Sequence, residues 1–167
     1  MSSEAVSGGF RRGVRLGVDW GKARVGVAAC DADGLLAYPV ETVPSADEES
    51  ALARLAALAD EYSAIEVVMG LPLALDGKAK LSAAYVEGVA GRLALRIRVP
   101  LRLVDERLTT AVAHRELGRL DSRNRRAVVD QAAAAGILES ALKAERNTGT
   151  APGLLVAPGD RETKEGL

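Results

Sequence analysis

The chain has 167 residues, 48% hydrophobic and 27% charged, enough for one domain with a real core and unlike a disordered composition. No apolar stretch nears the ~20 residues of a membrane span. The segment "MSSEAVSGGFRRGVRLGVD" lacks the basic-then-apolar order of a secretory signal, and the single cysteine, Cys30, excludes an internal disulfide framework and fits a reducing, cytoplasmic setting. The net charge of −1 conceals an asymmetry. Residues 41–66 carry seven acids and one arginine, whereas residues 107–126 carry six arginines (Arg107, Arg115, Arg119, Arg123, Arg125, Arg126) against Glu116 and Asp121. Such a pattern fits an anionic partner, or two solvated helix faces of opposite sign.

Residues 1–12, with Ser, Gly and no period, predict a flexible leader before a domain over 13–145. "VRLGVD" (14–19) alternates apolar residues and reads as a strand. The Gly-containing turn "WGKARVG" leads to a second strand, "VGVAAC" (25–30), and the "DADG" turn leads to a third, "LLAYPVETV" (35–43). Two short turns joining three strands predict an antiparallel meander. "SADE" (45–48) fits a capping box between Ser45 and Glu48. Leu52, Leu55, Ala56, Ala59 and Tyr62 then fall on one helical face. "IEVVMG" (65–70) suits a buried strand and "LPLALDGK" (71–78) a loop. A helix is predicted over about 80–95, a fifth strand at "LRLV" (101–104), and helices over about 110–120 and 125–144. The stretch from 146 to 167, rich in Gly, Pro and charge, predicts a mobile tail. With aromatics at only 3%, the core must be mostly Ala, Val and Leu. A meander turning into β-α-β crossovers gives an α/β fold: a central five-stranded mixed sheet flanked by helices, the order found in ribonuclease H-like folds.

Acidic residues close two of the strands, and another lies in the last helix. Asp19 ends the first strand between Gly17 and Gly21, which leave room for a ligand or another backbone to come close, or simply shape a tight turn. Asp105 and Glu106 end the fifth strand. Adjacent residues of an extended chain point to opposite sides, so one of the two enters a shared site while the other faces solvent or pairs with Arg107. Asp130 has Ala133, Ala134 and Ile137 three, four and seven residues on, which turns it towards the interior. That placement is costly unless a cation pairs with it, the simpler alternative being a first-turn acid in the helix dipole. A strand Asp, a strand-end Glu and a helix Asp offer only oxygen ligands, which suits Mg²⁺ or Mn²⁺ rather than zinc. His114 stands alone, so a nucleophilic triad lacks material. Phosphodiester hydrolysis by metal held on carboxylates is the chemistry left.

"LGVDWGKARVGVA", "VVMGLPLALDGK", "LVDERLTTAVAH" and "VVDQAAAAGILESAL" resemble, in order, the four sequence blocks of the YqgF/RuvX family of ribonuclease H-like proteins. The resemblance spans about residues 14–144. It implies Holliday junction resolution or nuclease processing of the 5′ end of pre-16S rRNA, hence a nucleic-acid partner, and it places the family's acidic triad on Asp19, Glu106 and Asp130. Gly21, Lys22, Arg24 and Gly26 match the first block, Gly70, Pro72, Asp76 and Gly77 the second. Arg107, Thr109 and Thr110 match the third, and Arg123, Arg125 and Arg126 the basic stretch before Asp130. Trp20 departs from the smaller or polar residue expected there, and either stacks on a base or sugar or packs.

The expectation is therefore a metal-dependent endonuclease with Mg²⁺ or Mn²⁺ on Asp19, Glu106 and Asp130. Lys22, Arg24, Arg107, Thr109, Thr110, Arg123, Arg125 and Arg126 would contact substrate. The alternative is a nucleic-acid-binding or regulatory factor with a vestigial site. A sugar-kinase/actin-like nucleotide-binding fold also opens on a strand and a "DxG" turn, but it needs two domains. Symmetric cutting of a four-way junction would need a homodimer, and no residue marks a dimer face.

Overall fold

The computed structural model describes residues 9–72, 82–105 and 122–158, without the side chains of 122–128. The antiparallel meander forms as expected. Strand β1 (Arg15–Trp20) pairs antiparallel with β2 (Arg24–Cys30), and β2 with β3 (Ala37–Pro44), whose register shifts at Val27/Ala28. Helix α1 (Glu48–Glu61) then carries the chain to β4 (Glu66–Leu71), which lies parallel to β1. Helix α2 (Ala83–Ala94) leads to β5 (Leu101–Asp105), parallel to β4. Helix α3 (Ser122–Thr148) and β6 (Leu154–Leu155) complete the described chain.

The sheet has six strands in the order β3-β2-β1-β4-β5-β6, one more than the five expected. The extra strand comes from the stretch expected as a tail: β6 pairs antiparallel with β5, and Val156 N–H donates to Leu101 O at 2.9 Å. The end of the expected leader is also placed, because Phe10 packs on the α3 side of the core and lies under the guanidinium groups of Arg15 and Arg146.

Strand alternation sorts the side chains onto two faces. Leu16, Val18 and Trp20 on β1 join Val67, Met69 and Leu71 on β4 and Leu101 and Leu103 on β5 in one cluster. Leu52, Leu55, Leu58, Val86, Val89 and Leu93 from α1 and α2 cover that face. On the opposite face Val68 and Ala37 meet Ile137, Leu138, Ala141 and Leu142 of α3. Trp20 is 5% exposed within the first cluster, so it packs rather than stacking on a ligand.

The helix starts show what local pattern decides and what it does not. Ser82 caps α2, its Oγ accepting from Tyr85 N–H at 3.0 Å. The capping box expected at Ser45–Glu48 does not form. Asp47 is the N-cap residue of α1 and makes no side-chain cap bond. Ser45 is instead buried and donates to Gly21 O at 2.6 Å, while Glu48 pairs with Arg92 of α2. A tertiary bond to a bare carbonyl outweighs a local cap when both compete for one hydroxyl.

Gly88 on α2 offers a clean stability prediction. A methyl there would meet only the end of the Arg92 side chain, at 3.4 Å. Gly88→Ala should therefore raise stability by about 0.5–1 kcal/mol through helix propensity, read as a higher urea midpoint with unchanged m.

Candidate active site

The α3 face of the sheet brings two of the three expected carboxylates into one corner. Arg15, Gly17 and Asp19 alternate with the core residues of β1 and so share the side that α3 covers. Asp19 stands opposite Gly26 of β2 in the antiparallel register. The missing side chain at Gly26 is filled by backbone of α3: a Cβ built there would lie 1.8 Å from Asp130 O and 2.2 Å from Asp130 C. Two residues back, a Cβ on Gly17 would lie 2.6 Å from Ala134 O. Gly17 and Gly26 are thus the floor on which α3 rests, and Gly26, the register partner of Asp19, meets the backbone of Asp130.

Asp130 is turned inward as its apolar neighbours predict. Its side chain is 16% exposed, and Ala134 and Ile137 are fully buried. The required cation is Arg24, whose Nε donates to Asp130 Oδ2 at 2.7 Å. Next along α3, Gln131 Nε2 donates to Thr42 Oγ1 on β3 at 2.9 Å, and Thr42 is the register partner of Gly26. This side of α3 is therefore fixed to β2 by contact and to β3 by a hydrogen bond.

Lys22 and Arg24 flank the β1–β2 turn, and both are exposed. The turn is anchored from beneath. Ser45 N–H donates to Ala23 O at 3.0 Å while its Oγ donates to Gly21 O. Ser45 and Gln131 are the two positioning residues the sequence reading missed. Ser45 looked like a cap, and Gln131, though it lies in the fourth block, gave no sign of its partner on β3.

Asp105 ends β5 opposite Leu71, and the alternation of Leu101 and Leu103 assigns it to the α1/α2 side, away from Asp19. Glu106, Arg107, Thr109, Thr110, Asp76 and Gly77 lie outside the described residues. Arg123, Arg125 and Arg126 fall within α3, but their side chains are not described. Among the described residues no group of three or more His, Cys, Asp or Glu side chains is placed to hold a metal. Nor is any described helix long and apolar enough to cross a membrane.

A mixed sheet opening on a three-stranded meander, with one long helix closing the face that carries acidic residues, defines a ribonuclease H-like nuclease fold. The comparisons agree at two levels. A solved structure of RuvC from T. thermophilus in complex with a Holliday junction substrate superposes with a TM-score of 0.53 at 16% identity, covering 84% of this chain and 99% of that one. Residues 13–144 match the family model described as "RuvX: Holliday junction resolvase". The chain belongs to this RuvX family of nucleases. Relatives from Streptomyces avermitilis and Streptomyces coelicolor are each 52% identical, the first over 87% of this chain and 95% of its own length, the second over 86% and 88%; each bears the name "Putative pre-16S rRNA nuclease".

Proposed function

We propose that this protein is a cytoplasmic, divalent-metal-dependent endonuclease that hydrolyses phosphodiester bonds in structured nucleic acid. The observation that carries the reading is the seating of Asp130 on Gly26, beside Asp19. Two oxygen-only ligands at a partly open corner fit a hard cation such as Mg²⁺ or Mn²⁺. Glu106 is the third ligand of the proposal, as the resemblance of "LVDERLTTAVAH" to the family's third sequence block implies. A bound cation of this kind lowers the pKa of water and neutralises charge on the leaving oxygen.

The protein's own contribution is to hold the acids still and to grip the substrate. Lys22 and Arg24 stand exposed at the rim of the corner, and Arg107, Thr109, Thr110, Arg123, Arg125 and Arg126 extend the proposed phosphate-binding surface. Backbone contacts of this sort make affinity fall steeply with salt. The names of the Streptomyces relatives favour pre-16S rRNA as substrate. The family description favours a four-way DNA junction, and symmetric cutting of such a junction would take a homodimer that presents two sites.

The test sets a pre-16S 5′-leader RNA beside a four-way DNA junction, each with Mg²⁺, and compares wild type with Asp19→Asn and Asp130→Asn. Cleavage of one substrate, lowered at least ~10³-fold in both variants while binding persists, is the expected outcome. An Asp130→Asn protein that cleaves as fast as wild type would overturn the assignment. Binding without cleavage by the wild-type protein would favour the non-catalytic alternative.

A further inference from the structure

We propose that Arg24 stands in for a divalent cation on the Asp130 carboxylate, and that metal enters by displacing it. The inference rests on Asp130 being a metal ligand, as argued above. A guanidinium N–H and a metal ion compete for the same carboxylate lone pairs, and Arg24 Nε already holds Oδ2 at 2.7 Å. The Asp130 side chain is only 16% exposed, so leaving its charge without a partner is unfavourable. Some cation must therefore accompany it in every state: Arg24 without metal, the metal ion with it.

The two partners differ in their freedom to move. Asp130 is fixed through its own backbone, which presses on Gly26, and through the neighbouring Gln131–Thr42 bond. Arg24 is rooted at the first residue of β2, and its side chain is 42% exposed on a long flexible stem. The partner that yields is Arg24. Once displaced, its planar fork of N–H donors remains at the rim of the same corner, ready for a phosphate oxygen. Metal entry and the availability of one phosphate contact thereby become a single event.

The proposal makes metal affinity and substrate handling respond to Arg24 in opposite directions. Isothermal titration with Mn²⁺ alone, in the absence of nucleic acid, reads the first directly. Wild type should bind Mn²⁺ and Asp130→Asn should lose that binding. Arg24→Ala and Arg24→Gln should bind it roughly fivefold more tightly, the scale of a half-exposed ion pair, and Arg24→Lys should stay near wild type. The same Ala and Gln variants should cleave more slowly at saturating metal. The polar Gln variant keeps the test intact if the Ala variant does not fold, as judged by circular dichroism. Equal or weaker Mn²⁺ binding by the Arg24 variants, with wild-type binding still dependent on Asp130, would overturn the exchange and leave the metal reading standing. No Asp130-dependent Mn²⁺ binding in wild type would overturn both.

Discussion

Gly26→Ala should cost the protein both stability and activity, although it adds a single methyl group. The added Cβ would fall 1.8 Å from Asp130 O and within 2.9 Å of Asp130 Cα. These are backbone atoms in a continuous helix, so no side-chain rotation relieves the clash. Helix α3 must lift from the sheet there, and the Ala134 and Leu138 contacts on Gly17 resist the lift. Overpacking of this kind costs about 3 kcal/mol. Lifting α3 also carries Asp130 away from Asp19, and a misplacement near 1 Å is worth ~10²-fold in rate. Urea unfolding at pH 7 and cleavage rate on the preferred substrate should both fall, while Gly88→Ala, made in parallel, should be at least as stable as wild type. A Gly26→Ala protein with wild-type stability would mean that α3 does not sit on β2 as described.

The glycine spacing "LGVDWGKARVG" shows how far the sequence could be read. Periodicity placed β1 to β5 to within one or two residues, because each strand is buried on a face that α1 and α2 or α3 covers. The inward turn of Asp130, and its need for a cation, followed from its neighbours. That the cation is Arg24, 106 residues away in sequence, did not, since a single exposed arginine on a strand has no signature of its partner. Gly17 read as room for a ligand or another backbone, and it is backbone of α3 that takes the room, there and at Gly26. Strand β6 was illegible because two residues carry no period, and its exposed leucines are held by main-chain pairing alone. Nothing in the sequence pattern marked Arg15 and Glu66 as buried. They are 1% and 0% exposed, part of a charged cluster that only the meeting of the N-terminal segment and the end of α3 with the sheet creates.

That cluster carries the second large effect. Glu145, near the end of α3, accepts five hydrogen bonds: from Arg11 N at 3.0 Å, Arg11 Nε at 2.9 Å, Arg11 Nη2 at 2.7 Å, and from Arg15 Nη2 to both carboxylate oxygens at 3.1 Å. Glu66 joins through Arg11 and through Arg102 Nε at 2.7 Å. Fifteen residues of helix separate Glu145 from Asp130, about 22 Å at the α-helical rise. The helix is thus seated at one place by Gly26 and clamped at another by arginines from β1 and the N-terminal segment. Glu145→Gln leaves Arg15 buried without its countercharge, which costs about 3–5 kcal/mol, a large fraction of a domain's total stability.

The pH dependence follows from the same contacts. Burial pushes the Glu145 carboxyl up, but hydrogen bonds from the Arg11 side chain and backbone, with the charges of Arg15 and Arg11, more than offset it and hold it at about 2. Because the folded value lies below the ordinary 4.5, the stabilisation is complete above pH 4.5 and is lost as pH falls towards 2. A displacement of this size corresponds to roughly 3 kcal/mol at neutral pH. Urea midpoints measured between pH 7 and 2 should show wild type well above Glu145→Gln at neutral pH and converging on it in the acid window. A gap that stays constant down to pH 2 would mean that Glu145 acts by shape rather than by charge. If the clamp positions α3 for Asp130, cleavage by the Glu145→Gln protein should also fall at temperatures where it remains folded.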